Sequence, residues 1–196
     1  MTIPLIERVN QCRLCEQNFE HNPRPVLQIN PKAKILIAGQ APGRKVHETG
    51  IPFNDPSGKR LRSWLGVSEA QFYNEELFAI LPMAFCFPGT GKSGDLPPPP
   101  LCAATWREAL LATMPNIEIT LVIGSYAQQY HLPKQHKNLT ETVRAWRDYW
   151  PRVLPLPHPS PRNNRWFKAN PWFDADAVPA LKTQVNAILE GRSSLS

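Results

Sequence analysis

Apolar residues in this chain fall into short dense runs separated by longer stretches with helical spacing. Lys34-Ile35-Leu36-Ile37-Ala38-Gly39 is one such run, closed by glycine, and Ile119-Thr120-Leu121-Val122-Ile123-Gly124 is another. Runs this short, apolar at consecutive positions, predict strands buried on both faces. Leu77 to Phe85 and Arg152 to Leu156 read as two more strands. Between and around them the spacing predicts helices. These cover 3–19 (interrupted by a Cys pair), 59–65, 103–114, a segment starting near Ser125, 139–150 with Thr140 as cap, and 176–190. Strands alternating with helices predict an α/β fold: a three-layer α/β/α sandwich around a central four-stranded parallel sheet.

The length of 196 residues fits a single domain, 1–196, with a core of useful size. No internal repeat or linker divides it. The formal net charge of +6 is compatible with a polyanionic partner without requiring one. The 22 prolines gather at 88–100 and 151–161, between apolar segments, and so predict stiff loops more than disorder. Met1 to Pro4 lacks a basic stretch leading into an apolar one, and no run is long enough to span a bilayer. The expectation is a soluble, cytoplasmic protein with no membrane association. In that compartment cysteines serve metals or catalysis more often than disulfides.

Three groups of residues carry chemistry. The first is His158-Pro159-Ser160-Pro161-Arg162-Asn163-Asn164, delivered directly after the strand at 152–156. Open α/β sheets bind ligands at strand carboxyl ends, and two prolines stiffen this loop. His158 suits charge stabilisation; the alternative is a loop histidine satisfied by a backbone group. Ser57, Ser160, Arg162 and Arg165 can neutralise or hydrogen-bond phosphates, or simply be solvated surface. The second group follows the strand at 34–39: Gly39-Gln40-Ala41-Pro42-Gly43, then Gly50-Ile51-Pro52-Phe53-Asn54-Asp55-Pro56-Ser57-Gly58. Phe53 can stack on a flat ring or fill the core. Asp55 can orient a water or cap a helix, since Asp-Pro is a good N-cap and first helical residue. The third group is Cys12, Cys15, Cys86 and Cys102. Cys12-x2-Cys15 has ligand spacing for zinc or an iron–sulfur cluster, while Cys86 and Cys102 also suit small buried apolar positions. Trp146, Trp150, Trp166 and Trp172 read as core or loop anchors, with a wedge into a base stack as the alternative for one of them.

Together, and in order along nearly the whole chain, these segments resemble the uracil-DNA glycosylase superfamily. Gly39-Gln40-Ala41-Pro42-Gly43 resembles its first motif, Gly50-Ile51-Pro52-Phe53 with Ser57-Gly58 its base-stacking segment, and His158-Pro159-Ser160-Pro161 its second motif. The pattern Cys12, Cys15, Cys86, Cys102 resembles the iron–sulfur, family 4-like branch. The resemblance implies a monomeric, monofunctional glycosylase acting on DNA that contains a deaminated base, such as uracil. It implies His158 as donor to the departing base and Asp55 as carboxylate, with Glu48 as second choice. Gln40, Ala41, Phe53, Asn54 and Asn163 would surround the base, and Ser57, Ser160, Arg162 and Arg165 would grip DNA. The four cysteines would hold a structural [4Fe–4S] cluster, with zinc the lesser alternative.

The chain departs from that pattern in three places. The first motif carries Gln40 and Ala41 and no acid. Pro82 stands where the iron–sulfur branch has an Asn that reads the base edge. The segment 89–100 is unusually rich in glycine and proline. A catalytically inactive protein of this fold, binding DNA or a modified nucleotide, is therefore the rival expectation. An enzyme acting on free nucleosides is a second.

Overall fold

Four strands lie side by side in one sheet, and a small hairpin stands apart from it. The computed structural model describes residues 4–92, 94–134 and 136–192. In chain order the strands are β1 (Ile35–Ala38), β2 (Phe78–Ile80), β3 (Thr90–Gly91), β4 (Gly94–Asp95), β5 (Ile119–Ile123) and β6 (Val153–Leu156). The sheet runs β2-β1-β5-β6 with every pairing parallel. From β1 the chain goes first to one side and then returns to the other. The crevice between the carboxyl ends of β1 and β5 is therefore the topological switch point, where this class of sheet binds ligands.

Alternation along β1 assigns its two faces. Ile35 and Ile37 join Leu61, Trp64, Phe173, Leu181 and Val185 in the larger core, under helices Pro56–Leu65 and Val178–Leu189. Leu36 points the other way, with Ala79, Leu81, Trp106, Leu110 and Val9. Ala38 and Val122 pack with Ala127 of helix Ser125–His131. The sheet is thus covered on both faces, which is why β1 is buried at all four positions. The outer edge of β2 is closed by Gln28, whose backbone exchanges two hydrogen bonds with Ile80 (2.9 and 2.7 Å).

Several elements differ from expectation, each for a local reason. The strand expected over 77–85 ends at Ile80 because Pro82 has no N–H to offer the ladder. The chain still runs beside the first motif, with the N–H groups of Met83 and Ala84 donating to Gly39 and Gln40 (2.9 and 3.1 Å). The N-terminal helix covers Leu5–Asn10, and its expected start at Ile3 lies outside the described residues. A non-helical turn then carries Cys12 and Cys15, followed by a 3₁₀ turn at Glu16–Asn18.

The helix expected over 139–150 is Leu139–Arg144, capped by Asn138 and not by Thr140. Asn138 Oδ1 accepts from Glu141 N–H at 2.9 Å, while the Thr140 hydroxyl accepts from the Trp166 indole at 2.8 Å. The helix predicted at 103–114 is entered one turn early, through Pro100–Cys102. It continues as a π-helical stretch, Ala103–Arg107, and closes with Glu108–Leu111. Three short helices were not expected: Arg44–Thr49, Glu69–Phe72 and Asn164–Ala169. Among the described residues no helix is long and apolar enough to cross a membrane.

Candidate active site

The loops that leave β1 and β6 and the turn before helix Pro56–Leu65 close on a single cleft of about 680 Å³. Gly39, Gln40, Ala41, Phe53, Asp55, Ser57, His158, Ser160, Arg162 and Asn163 all line it. Asn54 and Arg165 do not. Arg165 is exposed on helix Asn164–Ala169, and Glu48 is exposed on helix Arg44–Thr49.

His158 is fixed by its own loop. The Ser160 N–H donates to its Nδ1 at 3.2 Å, and Asn163 Nδ2 donates to its backbone carbonyl at 2.8 Å. An N–H donor at Nδ1 requires that nitrogen to carry no proton, so the neutral ring carries its hydrogen on Nε2. Burial pushes the His158 pKa below the ordinary histidine value. The carboxylates of Asp55 and Asp95 oppose that shift and Arg162 adds to it. The ring is therefore neutral at pH 7, with an Nε2–H donor at the cleft wall.

Ser160 also holds the turn: its hydroxyl oxygen accepts from Arg162 N–H at 3.2 Å. Arg60, which the sequence did not single out, clamps this loop from the neighbouring helix. It donates to the Ser160 carbonyl at 3.3 Å and to Asn164 Oδ1 at 2.7 Å, and lies over the Phe167 ring. The signal for Arg60 was its place one turn into the helix that Asp55 caps.

Phe53 is the one described non-glycine residue with positive φ, at 53°. Left-handed geometry in a bulky residue costs about 1–3 kcal/mol and persists only where neighbours enforce it. Here Tyr73 donates its hydroxyl to the Pro52 carbonyl at 2.9 Å, and Phe72 meets the Phe53 ring edge-on. A side chain on Gly58 would overlap the Phe53 carbonyl oxygen, so Gly58 is what permits the turn to close. The Phe53 ring end lies over Gly39, within 3.7 Å of where a Cβ there would stand. Asp55 follows in the same turn and does cap the helix: Oδ1 accepts from Gly58 N–H at 2.9 Å. Oδ2 has no hydrogen-bond partner among the described residues, so the cap leaves that oxygen unused in a residue that lines the cleft.

The cleft floor includes Ile80 and Pro82. Pro82 offers only its carbonyl, which together with that of Leu81 accepts from Arg107 Nη1 (2.8 and 3.0 Å). Arg107 is fully buried, and its other guanidinium nitrogens meet His131 Nε2 at 3.2 and 2.6 Å. No carboxylate pairs with it among the described residues. Burial and the adjacent guanidinium push the His131 pKa down to about 3, so the imidazole is a neutral acceptor.

The four cysteines form a second constellation, away from the cleft. All four line one hollow with Leu14, Phe19, Pro23, Pro25, Phe85 and Pro99. None is in a disulfide. The Trp106 indole donates to Cys12 Sγ at 3.3 Å, and the backbone N–H groups of Arg24 and Phe85 point at Cys86 and Cys102. Burial pushes the free thiols of Cys86 and Cys102 up to about 11 and about 12, far from a reactive thiolate. Among the described residues no group of three ligands closes tightly enough around one point to hold a single metal ion. Four sulfurs lining one apolar hollow, three of them met by an N–H donor, are a donor set of the kind that holds an iron–sulfur cluster or zinc.

The sequence model of the uracil DNA glycosylase superfamily matches residues 27–182. A type-4 uracil-DNA glycosylase from Sulfurisphaera tokodaii is 26% identical over 144 residues, which make up 71% of this chain and 61% of that protein. The chain thus spans about three fifths of the length of the curated relative it matches.

Proposed function

The chain belongs to the uracil DNA glycosylase superfamily, and on that premise we propose that it hydrolyses the N-glycosidic bond of uracil or a related deaminated base in DNA. In this reading it is one domain, acts as a monomer and leaves strand cleavage to others; the lysine that lines the cleft, Lys45, is exposed on helix Arg44–Thr49. The target nucleotide must leave the stack, because its glycosidic carbon cannot be reached within a duplex. The base enters the cleft and stacks on Phe53, with Gln40, Ala41 and Asn163 around its edges and Asn54 in the adjoining turn. Ser57, Ser160 and Arg162 meet the flanking phosphates, and Arg165 continues the basic track on the outer helix.

The observation that carries the proposal is the state of His158. As the C1′–N bond breaks, its electron pair goes to the base and the sugar gains oxocarbenium character. A neutral imidazole with Nε2–H toward the cleft donates to the anionic base oxygen without competing for a proton. Such a preorganised donor lowers the barrier by about 3–4 kcal/mol. The free Oδ2 of Asp55 orients the water that attacks C1′.

Cys12, Cys15, Cys86 and Cys102 are the residues that would hold a [4Fe–4S] cluster. Its contribution is structural, binding the N-terminal turn to the segment between Cys86 and Cys102, and no step of the reaction uses it. Zinc is the lesser alternative.

The test is a panel of single- and double-stranded oligonucleotides carrying uracil, hypoxanthine or xanthine, with alkali to reveal abasic sites. Cleavage after alkali, slowed about 100- to 1,000-fold by His158→Ala, is expected. Tight DNA binding without abasic sites would instead favour a non-catalytic binder, a reading that Pro82 supports because it offers the base edge no side-chain hydrogen bond.

A further inference from the structure

The proline- and glycine-rich segment that departs from the family pattern folds into the β3–β4 hairpin and brings Asp95 to the cleft. The hairpin is tied to both functional loops. Gln40 Nε2 donates to the Leu96 carbonyl at 3.4 Å, and Arg44 Nη2 to Thr90 Oγ1 at 3.3 Å. On the other side Gly94, at φ 138°, lets Arg162 approach: a Cβ on Gly94 would stand 2.9 Å from Arg162 Nη1. A Cβ on Gly43 would stand 3.5 Å from Asp95 Oδ2, so the carboxylate faces the end of the acid-free first motif.

Neither oxygen of Asp95 has a hydrogen-bond or ion-pair partner among the described residues, whereas Asp55 spends Oδ1 on its helix cap. Asp95 and Arg162 are exposed at the rim, and Pro82 and Ile80 are buried at the floor. Electrostatics separates the two places. A carboxylate at the floor would oppose the departing base anion; at the rim, beside the sugar, it favours the cation that forms there.

We propose that Asp95 is a second catalytic carboxylate, set by the hairpin against the deoxyribose of the bound nucleotide. It rests on the glycosylase reading above. When the C1′–N bond breaks, the electron pair leaves with the base, and the Asp95 carboxylate stabilises the sugar cation. Water oxygen then bonds C1′, and the water proton passes to Asp95, which returns it to solvent. The charge of Asp95 also reaches His158, whose pKa it raises against burial. Asp95 thus supplies from another part of the chain the acid that Gln40 and Ala41 lack.

Single-turnover excision by Asp95→Asn tests this, on the base that the wild-type protein removes best. The substitution is isosteric and exposed, and a thermal melt checks that the fold persists. The expected result is a loss of about 100-fold or more in rate with DNA affinity within about 3-fold of wild type. A rate within about 3-fold of wild type, while His158→Ala is slowed about 100-fold or more, overturns the role of Asp95 and leaves the glycosylase reading standing. Loss of DNA affinity at unchanged rate also overturns it. Wild-type protein that makes no abasic site on any base overturns the glycosylase reading and the Asp95 assignment with it.

Discussion

The backbone N–H of Ser160 points at Nδ1 of His158, 3.2 Å away, and so decides which ring nitrogen keeps the hydrogen. With the imidazole pKa pushed down by burial, the ring stays neutral through the physiological range. Long-range proton–nitrogen correlation spectra should show an unprotonated Nδ1 and a protonated Nε2 at pH 7. Excision should not fall through protonation of His158 between about pH 7.5 and 8.5, because burial holds its pKa below the ordinary histidine value. His158→Ala should lower the rate by about 100- to 1,000-fold. A ring that titrates above pH 7 would contradict the neutral-donor account.

Gly58 is the point where the base-stacking turn is least tolerant. Any Cβ there meets the Phe53 carbonyl oxygen, carbonyl carbon and Cβ together, and these belong to a turn already at positive φ. Gly58→Ala should destabilise the protein by about 3 kcal/mol, the upper end for overpacking against a backbone that cannot yield. Chemical denaturation measures that loss. Displacement of the Phe53 ring should reduce excision by about 100-fold at temperatures where the variant remains folded.

Much of this arrangement could be read from the chain. The β1 and β5 runs, Ile35–Ala38 and Ile119–Ile123, are apolar at nearly every position because both sheet faces are covered, and that pattern survives without tertiary information. The convergence of Phe53, Asp55 and His158 was legible from the loops that follow strands. The hairpin was not: β3 and β4 are two residues each, with no alternating apolar face. Asp95 was missed with it. Arg60 and Arg107 were missed because a basic residue in a helix reads as solvent-facing until its carbonyl partners, far along the chain, are known. The cap at Asn138 was misassigned to Thr140 because both side chains can cap, and only the Trp166 contact tells them apart.

The cysteine hollow makes a prediction independent of catalysis. Protein purified without air should carry iron and sulfide in equal amounts and absorb in the visible thiolate region. Cys86→Ser should bleach it and lower the melting temperature, since the N-terminal turn would lose its tie to helix Pro100–Cys102. Trp106→Phe keeps the ring but removes the indole N–H that meets Cys12 Sγ. It should leave the metal content unchanged while altering the reduction potential, because hydrogen bonds to ligand sulfurs tune it. Colourless, iron-free protein prepared under those conditions would remove the cluster from the proposal.

Acid stability reports on the guanidinium buried behind Pro82. His131 has a pKa near 3 in the folded chain and about 6.5 when unfolded. Between those values the unfolded chain holds a proton that the folded chain refuses, so stability rises with pH across the window and falls on acidification. The slope approaches about 1.4 kcal/mol per pH unit for this one group. His158 and His47, also pushed down, act in the same direction. His131→Gln keeps an acceptor for Arg107 but cannot titrate. Between pH 7 and pH 5 the wild type should therefore lose about 2 kcal/mol more than this variant in urea denaturation. Arg107→Met is the complementary change: it leaves the carbonyls of Leu81 and Pro82 unpaired inside the core and should cost about 3 kcal/mol at pH 7, and less on acidification because His131 loses the neighbouring charge that opposes its protonation. Equal pH slopes for wild type and His131→Gln would mean that His131 accepts its proton in the folded state, and that Arg107 is held by something other than a neutral imidazole.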